Sequence, residues 1–323
     1  MRQIAYIPDH LRNGDIMETK TGIKSRYFNT MKRAPYLFVL PFIISFLLFF
    51  LYPMIYMFVM SFQKIEGIDS VTFTGMSNYK RVLTDPHLGT AAINSIMFTI
   101  GILIVNVILS VLLAIILNNK KTIFRNGFRS ALYLPALTSI IVAGIFFRLF
   151  FGSGVQTPLN SLMTWLHLPA REWLFDTKTT GVIVLVVTST WRWLGTNTMY
   201  FICGLQSIPD ELYEAANIDG ANAYQKFWNI IIPGLKPILI FVITILTYGG
   251  LRMFGESYVL WTNGATPGDI GLTIVLYIYK TAFTQFETGY ASALSVILFI
   301  CLVLINLLFI RFLGIGKKEG SRS

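Results

Sequence analysis

Long apolar runs broken by short polar segments set the rhythm of this chain. A helix rises about 1.5 Å per residue and needs roughly 20 apolar residues to cross about 30 Å of hydrocarbon. Six runs are long enough: 35–62, 92–117, 129–151, 181–205, 230–254 and 290–313. The pattern predicts an all-α, polytopic integral membrane protein with six transmembrane helices over 35–313, a polar leader at 1–34 and a short tail at 314–323. A further apolar stretch, 271–283, is too short to span and is expected as a re-entrant or interfacial helix. The first run is too long for a signal-peptide core and is expected to remain as an anchor.

Composition agrees with that pattern. The chain is 54% hydrophobic and 13% charged, whereas soluble chains average about a quarter charged residues. A net charge of +10 would suggest nucleic acid in a soluble protein, but here its distribution is what matters. Lys and Arg crowd the leader (Arg2, Arg12, Lys20, Lys24, Arg26, Lys32, Arg33), the second connection (Lys120, Lys121, Arg125, Arg129) and the tail (Arg311, Lys317, Lys318, Arg322). The opposite connections hold fewer: Lys64, Lys80, Arg81, Arg171, Lys178 and Lys280. The positive-inside rule then places both termini in the cytoplasm, with nothing calling for nucleic acid. Cys203 and Cys301 sit in apolar runs and are expected as small buried hydrophobes. His10, His87 and His167 are scattered, and no metal-ligand spacing or nucleophile–base arrangement occurs.

One connection on the cytoplasmic side is acidic. Between the fourth and fifth runs, the loop 206–229 carries Asp210, Glu211, Glu214 and Asp219 against a single Lys226. Ser207 three residues before Asp210 has the form of a capping box, with Pro209 tolerated in the first turn. A helix over 210–216 should end at Gly220, where a positive φ is needed, and a second turn should resume at 221–228 before Pro233-Gly234 opens the fifth span. Leu212, Ala215 and Ala216 share one face of the first helix, a small-residue surface that can press against a partner. Acidic residues suit a negative inner leaflet poorly. The residues themselves leave two readings open, a docking surface and a solvated loop.

Polar residues at membrane depth mark candidate pathway positions. In the fourth span Trp193, Asn197 and Tyr200 share a helical stripe, with Trp191 and Arg192 beside it. The fifth offers Thr244, Tyr248 and Arg252 at four-residue spacing, with Glu256 one turn on, where it can pair with Arg252. The second contributes Asn106 and Ser110. Aromatic faces can cover the C–H patches of a sugar while amides bond its hydroxyls. Structural alternatives stand beside this reading: Asn106 as glue between helices, and Arg252 with Glu256 as an ion pair or gate.

The segment EAANIDGANAYQKFWNIIIP at 214–233 resembles the EAA loop of ABC importer permeases. It has Glu214-Ala215-Ala216, then Gly220, Ile230 and Ile232-Pro233 at the family spacing, with Ile232 where Leu is usual, and Asp219-Gly220-Ala221 fits the sugar-type form. NSIMFTIG at 94–101, FRSALYLPALTS at 128–139 and YASALSVIL at 290–298 extend the similarity across most of 35–313. Together these features look like the larger permease subunit of carbohydrate importers. The resemblance implies that Glu214, Ala215, Ala216, Asp219, Gly220 and Pro233 form the coupling segment docking on a cytoplasmic ATPase. It also implies a bacterial cell-membrane location, a second homologous permease, two ABC ATPase subunits, an extracytoplasmic solute-binding protein and a sugar substrate moved by alternating access. No G-x-x-x-x-G-K-[ST] phosphate loop occurs in the chain, so no cofactor is expected on it, and ATP and Mg would be handled by the partner ATPase. Rival expectations are a permease for amino acids or peptides and an ion-coupled carrier, for which Glu256 is the sole candidate carboxylate.

Overall fold

The computed structural model describes residues 35–66, 70–119, 121–264 and 266–312. The leader 1–34 and tail 314–323 lie outside the described residues. The chain forms two compact units, 1–59 and 60–323.

The described part of the first unit belongs to helix α1 (Pro35–Met60), which carries one π-turn at Leu47–Leu51. Phe42, Phe46 and Phe50 stack along one of its faces at i, i+4 spacing.

In the second unit, a two-stranded antiparallel hairpin, β1 (Gln63–Glu66) and β2 (Ser70–Phe73), pairs Gln63 with Phe73 and is a small departure from an all-helical chain. Helix α2 (Ser77–Val82) follows, then α3 (Pro86–Asn118), α4 (Arg125–Leu137), α5 (Ile140–Phe150), α6 (Pro158–Trp165) and α7 (Lys178–Gln206). After these come α8 (Asp210–Ile218), α9 (Ala223–Leu251), α10 (Gly255–Leu260), α11 (Ile274–Thr284) and α12 (Thr288–Phe312). Among the described residues, four helices, α1, α3, α9 and α12, are long and apolar enough to cross a membrane, and α4 with α5 make a fifth if that bent pair is one span. The remaining expected span, 181–205, is a 29-residue helix, α7, whose length is ample but whose polar stripe sets it apart.

Two expected spans are broken. The axes of α4 and α5 differ by 98° across Thr138-Ser139. Pro135 in α4 and the β-region backbone of Thr138 and Ser139 explain the break, and Ser139 recaps α5 by accepting from the Ile141 N–H. The fifth span stops at Leu251 rather than 254 and resumes as α10. At its other end it begins at Ala223, because the turn expected to precede Pro233 runs on through a π-turn into the span. Pro233 is accommodated in the first turn of regular helix after that π-turn, where its missing N–H costs little. The short apolar helix expected at 271–283 is α11, beginning at Ile274 under a Thr273 cap.

Close helix packing is carried by small residues, as expected where lipid offers no hydrophobic drive between helices. Any side chain at Gly195 of α7 would overlap the Leu132 carbonyl of α4. A Cβ at Gly101 of α3 would come within 2.7 Å of Val186 of α7. Gly144 of α5 faces Val259, and Gly255 faces Ile140, so the two fragments beyond the breaks, α5 and α10, pack on each other. The core between α3, α7 and α9 is built from Phe98, Ile102, Val184, Leu185, Phe201, Leu235 and Val242.

Asp85 organises the end of the bundle near the hairpin. It caps α3 by accepting from the His87 N–H at 2.9 Å, while its other oxygen accepts from the hydroxyls of Tyr277 and Tyr290. Arg81 lies 4.0 Å over the Tyr290 ring and pairs with Glu287 at 2.7 Å. Asn94 donates to the carbonyls of Asp269 and Leu272, and the Ser95 hydroxyl accepts from the Ile274 N–H, so the 267–273 turn is fastened to α3.

Cys203 and Cys301 are free and exposed, not buried as expected. A position in an apolar run does not say which face of the helix it occupies.

Candidate functional site: a polar cavity and an acidic loop

A cavity of about 510 Å³ lies beneath the two breaks, lined by α3, α7, α9 and α10 together with Ile140. That size falls within the roughly 300–1,000 Å³ range of ligand pockets. Its polar wall is α7. Ser189, Arg192, Trp193, Thr196, Asn197 and Tyr200 all line it, at spacings of three and four that keep them on one helical face. The opposite wall is α9 and its break, with Ile245, Leu246, Gly249, Gly250 and Arg252, and Glu256 closes the end from α10. A Cβ at Gly250 would press on Thr99, whereas Gly249 faces open space.

The electrostatics of the cavity rest on two contacts of Arg192. Its guanidinium pairs with Glu256 at 3.5 Å and sits 5.5 Å from the Trp193 ring. Arg252, expected to be the partner of Glu256, lines the cavity but is not paired with it. The helix ends at Leu251, so the i, i+4 relation that would have joined Arg252 to Glu256 does not exist. Among the described residues, Ser189 Oγ, Thr196 Oγ1 and Arg192 Nε are buried with no hydrogen-bond partner. Buried polar atoms are almost always paired; these three are covered by protein and leave hydrogen-bonding capacity unused within the wall itself.

Of the nine candidate pathway residues, Trp193, Asn197, Tyr200, Arg252 and Glu256 reach the cavity. Four do not. Asn106 is fully buried behind the wall, where its Oδ1 accepts from Asn197 at 2.7 Å and from Ser110 at 3.1 Å. Trp191 points away from the cavity and packs edge-on to Phe147, with ring centroids 5.2 Å apart. Thr244 satisfies its hydroxyl on the Ile240 carbonyl, and Tyr248 lies outside the lining, because α9 presents Ile245 and Gly249 instead. Ser189, Thr196 and Gly249–Gly250 were not singled out from the sequence. The signal for the first two was present as a polar residue on every turn of α7 from 189 to 200.

The acidic loop forms two helical pieces joined by a tight turn. Helix α8 ends in a Schellman motif: Gly220 has φ 73°, its N–H donates to Asn217, and the Ala221 N–H donates to Ala216. A Cβ on Gly220 would meet nothing within 4 Å among the described residues. The expected capping box at Ser207 is absent, since Ser207 donates back to Gly204 at the end of α7 and Pro209 occupies the N-cap. The true capping box is Asn222 with Gln225. The face of α8 turned to its own chain is Tyr213 with Ala216, while Leu212, Ala215, Glu211 and Glu214 are exposed. The small-residue face expected from the spacing is therefore split. Ile218, Tyr224 and Trp228 add exposed apolar surface to this loop.

Among the described residues, no group of three His, Cys, Asp or Glu side chains is placed to hold a metal ion. Outside the spans, the Asp85 carboxyl is held below its ordinary range. Burial works against its charge, but hydrogen bonds from Tyr277, Tyr290 and the His87 and Leu88 N–H groups outweigh that burial.

A helical membrane bundle with a polar cavity under broken spans and an exposed loop joining two of them defines the class of a transport permease. The chain belongs to the binding-protein-dependent transport system inner membrane component family, which matches residues 106–315. It is 47% identical over 293 residues to the arabinooligosaccharides transport system permease protein AraP of Bacillus subtilis (strain 168), covering 91% of this chain and 92% of that one. A second similar relative is AraP of Halalkalibacterium halodurans, 42% identical over 94% of this chain and 96% of the other. Among solved structures, a chain of a bacterial alginate ABC transporter in complex with an alginate pentasaccharide-bound periplasmic protein superposes with a TM-score of 0.78 at 21% identity. That superposition covers 91% of this chain and 99% of that one. It is a likeness of fold.

Proposed function

We propose that this chain is the permease subunit through which an ATP-driven importer moves an oligosaccharide across the cell membrane. The observation that carries the sugar reading is the α7 wall, where the Trp193 and Tyr200 rings, the Asn197 amide and the Arg192 guanidinium line one face of the cavity. Hydroxyl-rich rings offer both the hydrogen-bonding groups and the apolar faces that match such a wall. The similarity to permeases of arabinooligosaccharide transport supports arabinose oligomers as the first substrates to try.

Coupling runs through the acidic loop. Glu214, Ala215, Ala216, Asp219 and Gly220 dock on a cytoplasmic ATPase, which binds ATP and Mg, and Pro233 lies at the start of the span that the loop drives. The working assembly holds a second homologous permease and two ATPase subunits, and an extracytoplasmic binding protein delivers the solute to the hairpin end. Both termini are cytoplasmic, so residues 206–229 face the ATPases. Closure of the ATPases displaces α8 and the start of α9, and the breaks at Thr138-Ser139 and at Arg252 let the cavity open to alternate sides.

The test is uptake of labelled arabinose oligosaccharides into proteoliposomes holding the purified assembly and its binding protein. ATP-dependent uptake that falls in Trp193→Ala and Asn197→Ala, with ATPase docking intact, is the expected result. Uptake of amino acids or peptides with no response to oligosaccharides would overturn the sugar reading.

A further inference from the structure

Between α5 and α7 the chain makes a closed elbow, 151–177, that contains α6. The fully buried Asn160 clasps it. Its amide nitrogen donates to the carbonyls of Gly152, Gly154 and Arg171, and its Oδ1 accepts from the Arg171 N–H and the Trp173 indole. Leu159 and Trp173 pack against the main core. Helix α6 ends in a Schellman motif in which His167, at φ 60°, donates to Thr164 and Leu168 donates to Met163. The elbow is thus fixed by its own bonds, with one side of α6 turned to the protein.

Among the described residues, nothing covers the other side. Leu162, Trp165 and Leu166 fall on one stripe of α6, and they are 50%, 74% and 52% exposed. Val155 and Leu168 extend this surface before and after the helix. Helix α6 carries no charged residue, and the charges of the elbow come only on the return, at Arg171, Glu172 and Asp176.

We propose that this stripe is a lipid-binding face, seated in the headgroup–acyl boundary of the leaflet at the hairpin end of the bundle. Its continuity with a membrane-facing surface supports this. Ile141, Ile145 and Leu149 form the exposed apolar stripe of α5, half of a spanning pair, and the chain passes from Leu149 almost directly to Val155. Trp prefers the membrane–water boundary, where its ring is buried and its N–H stays wet. An uncharged apolar stripe backed by a clasped polar side is the arrangement of an interfacial helix, here too short to bind lipid without its anchor. The elbow then fixes the depth of α5 and α7, the two helices it joins, and so the level of the cavity wall that α7 forms.

The test uses the full chain in its native assembly, reconstituted in phosphatidylethanolamine–phosphatidylglycerol vesicles. In a background of Cys203→Ala and Cys301→Ala, a bimane label is placed at Leu162→Cys or Leu166→Cys, with Glu172→Cys as a solvent control. Lipids nitroxide-labelled near the headgroup should quench the two elbow sites about twofold more than lipids labelled at the chain end, while iodide quenches only the control. Quenching by iodide to the level of the control would overturn the proposal in favour of a solvated face. Protection from both quenchers would overturn it in favour of a protein partner. A second arm needs no label. Trp165→Phe should remove a component of indole emission that shallow brominated lipid quenches in the unmodified chain, and an unchanged quenchable component would count against the proposal.

Discussion

Asn197 donates its side-chain amide to Asn106 at 2.7 Å, and the acceptor lies wholly behind the wall of the cavity that the donor lines. The contact joins α7 to α3 and aims a cavity amide from outside the cavity. Asn106→Ala should therefore act through Asn197. The expected loss of stability is about 0.6–1.7 kcal/mol, the range for hydrogen bonds between membrane helices. Transport should show a raised KM with kcat little changed, whereas Ser110→Ala, which leaves the Asn106–Asn197 bond in place, should spare KM. Thermal unfolding in detergent together with uptake kinetics checks both outcomes.

The Arg192–Glu256 pair is held in a largely enclosed site, with 16% and 11% of the two side chains exposed. Removing one partner from such a pair strands the other charge. Glu256→Gln should destabilise the protein more than the double variant Arg192→Met/Glu256→Gln. A thermal-shift cycle over the two single variants and the double gives the coupling, and equal losses in Glu256→Gln and the double variant would contradict the pairing.

Gly195→Ala places a methyl group against the Leu132 carbonyl, a backbone atom that cannot swing away. The expected cost is at the upper end of about 1–3 kcal/mol for overpacking, read as lower yield and melting temperature. Gly89→Ala in α3 meets nothing, and should gain roughly 0.4–1 kcal/mol by restricting the unfolded chain.

Gly220 lets folding be told apart from the proposed coupling. Its φ of 73° makes any L-residue strained, at about 1–2 kcal/mol, yet no atom of the described residues lies within 4 Å of a Cβ placed there. Gly220→Val should lower the melting temperature modestly while abolishing ATP-driven uptake and ATPase co-purification. Glu214→Lys should do the same to coupling with no change in melting temperature. Normal transport by either variant would remove the loop from the coupling path.

Asp85 gives a pH dependence of known sign. Its native carboxyl ionises below the ordinary value of 3.8, so the stabilisation is fully present above that value and is lost as pH falls through the lower native one. Melting temperature should hold level down to about pH 5 and drop below it. In Asp85→Asn the plateau should be lower and the acid drop shallower, as a pH series of thermal melts would show.

Hydropathy runs and motif spacing are properties of a string, and what depends on them was legible before any contact was known. The apolar runs located the helices because crossing hydrocarbon demands a minimum length. Gly220 was legible because a positive φ at a helix C-terminus excludes most other residues. The polar stripe on α7 was partly legible from its period. Partner choice across elements was not. Glu256 faces Arg192 rather than Arg252 because α9 breaks after Leu251, and Thr244 and Tyr248 miss the cavity because the rotation of α9 is set by Gly250 against Thr99. Asp85 and Asn160 look ordinary in the chain, yet Asp85 gathers segments distant in sequence and Asn160 closes the elbow on itself. Inside a membrane every helix is apolar on most sides, so hydrophobicity cannot say which face turns inward. That choice is made by small residues and buried hydrogen bonds, which exist only once the helices meet.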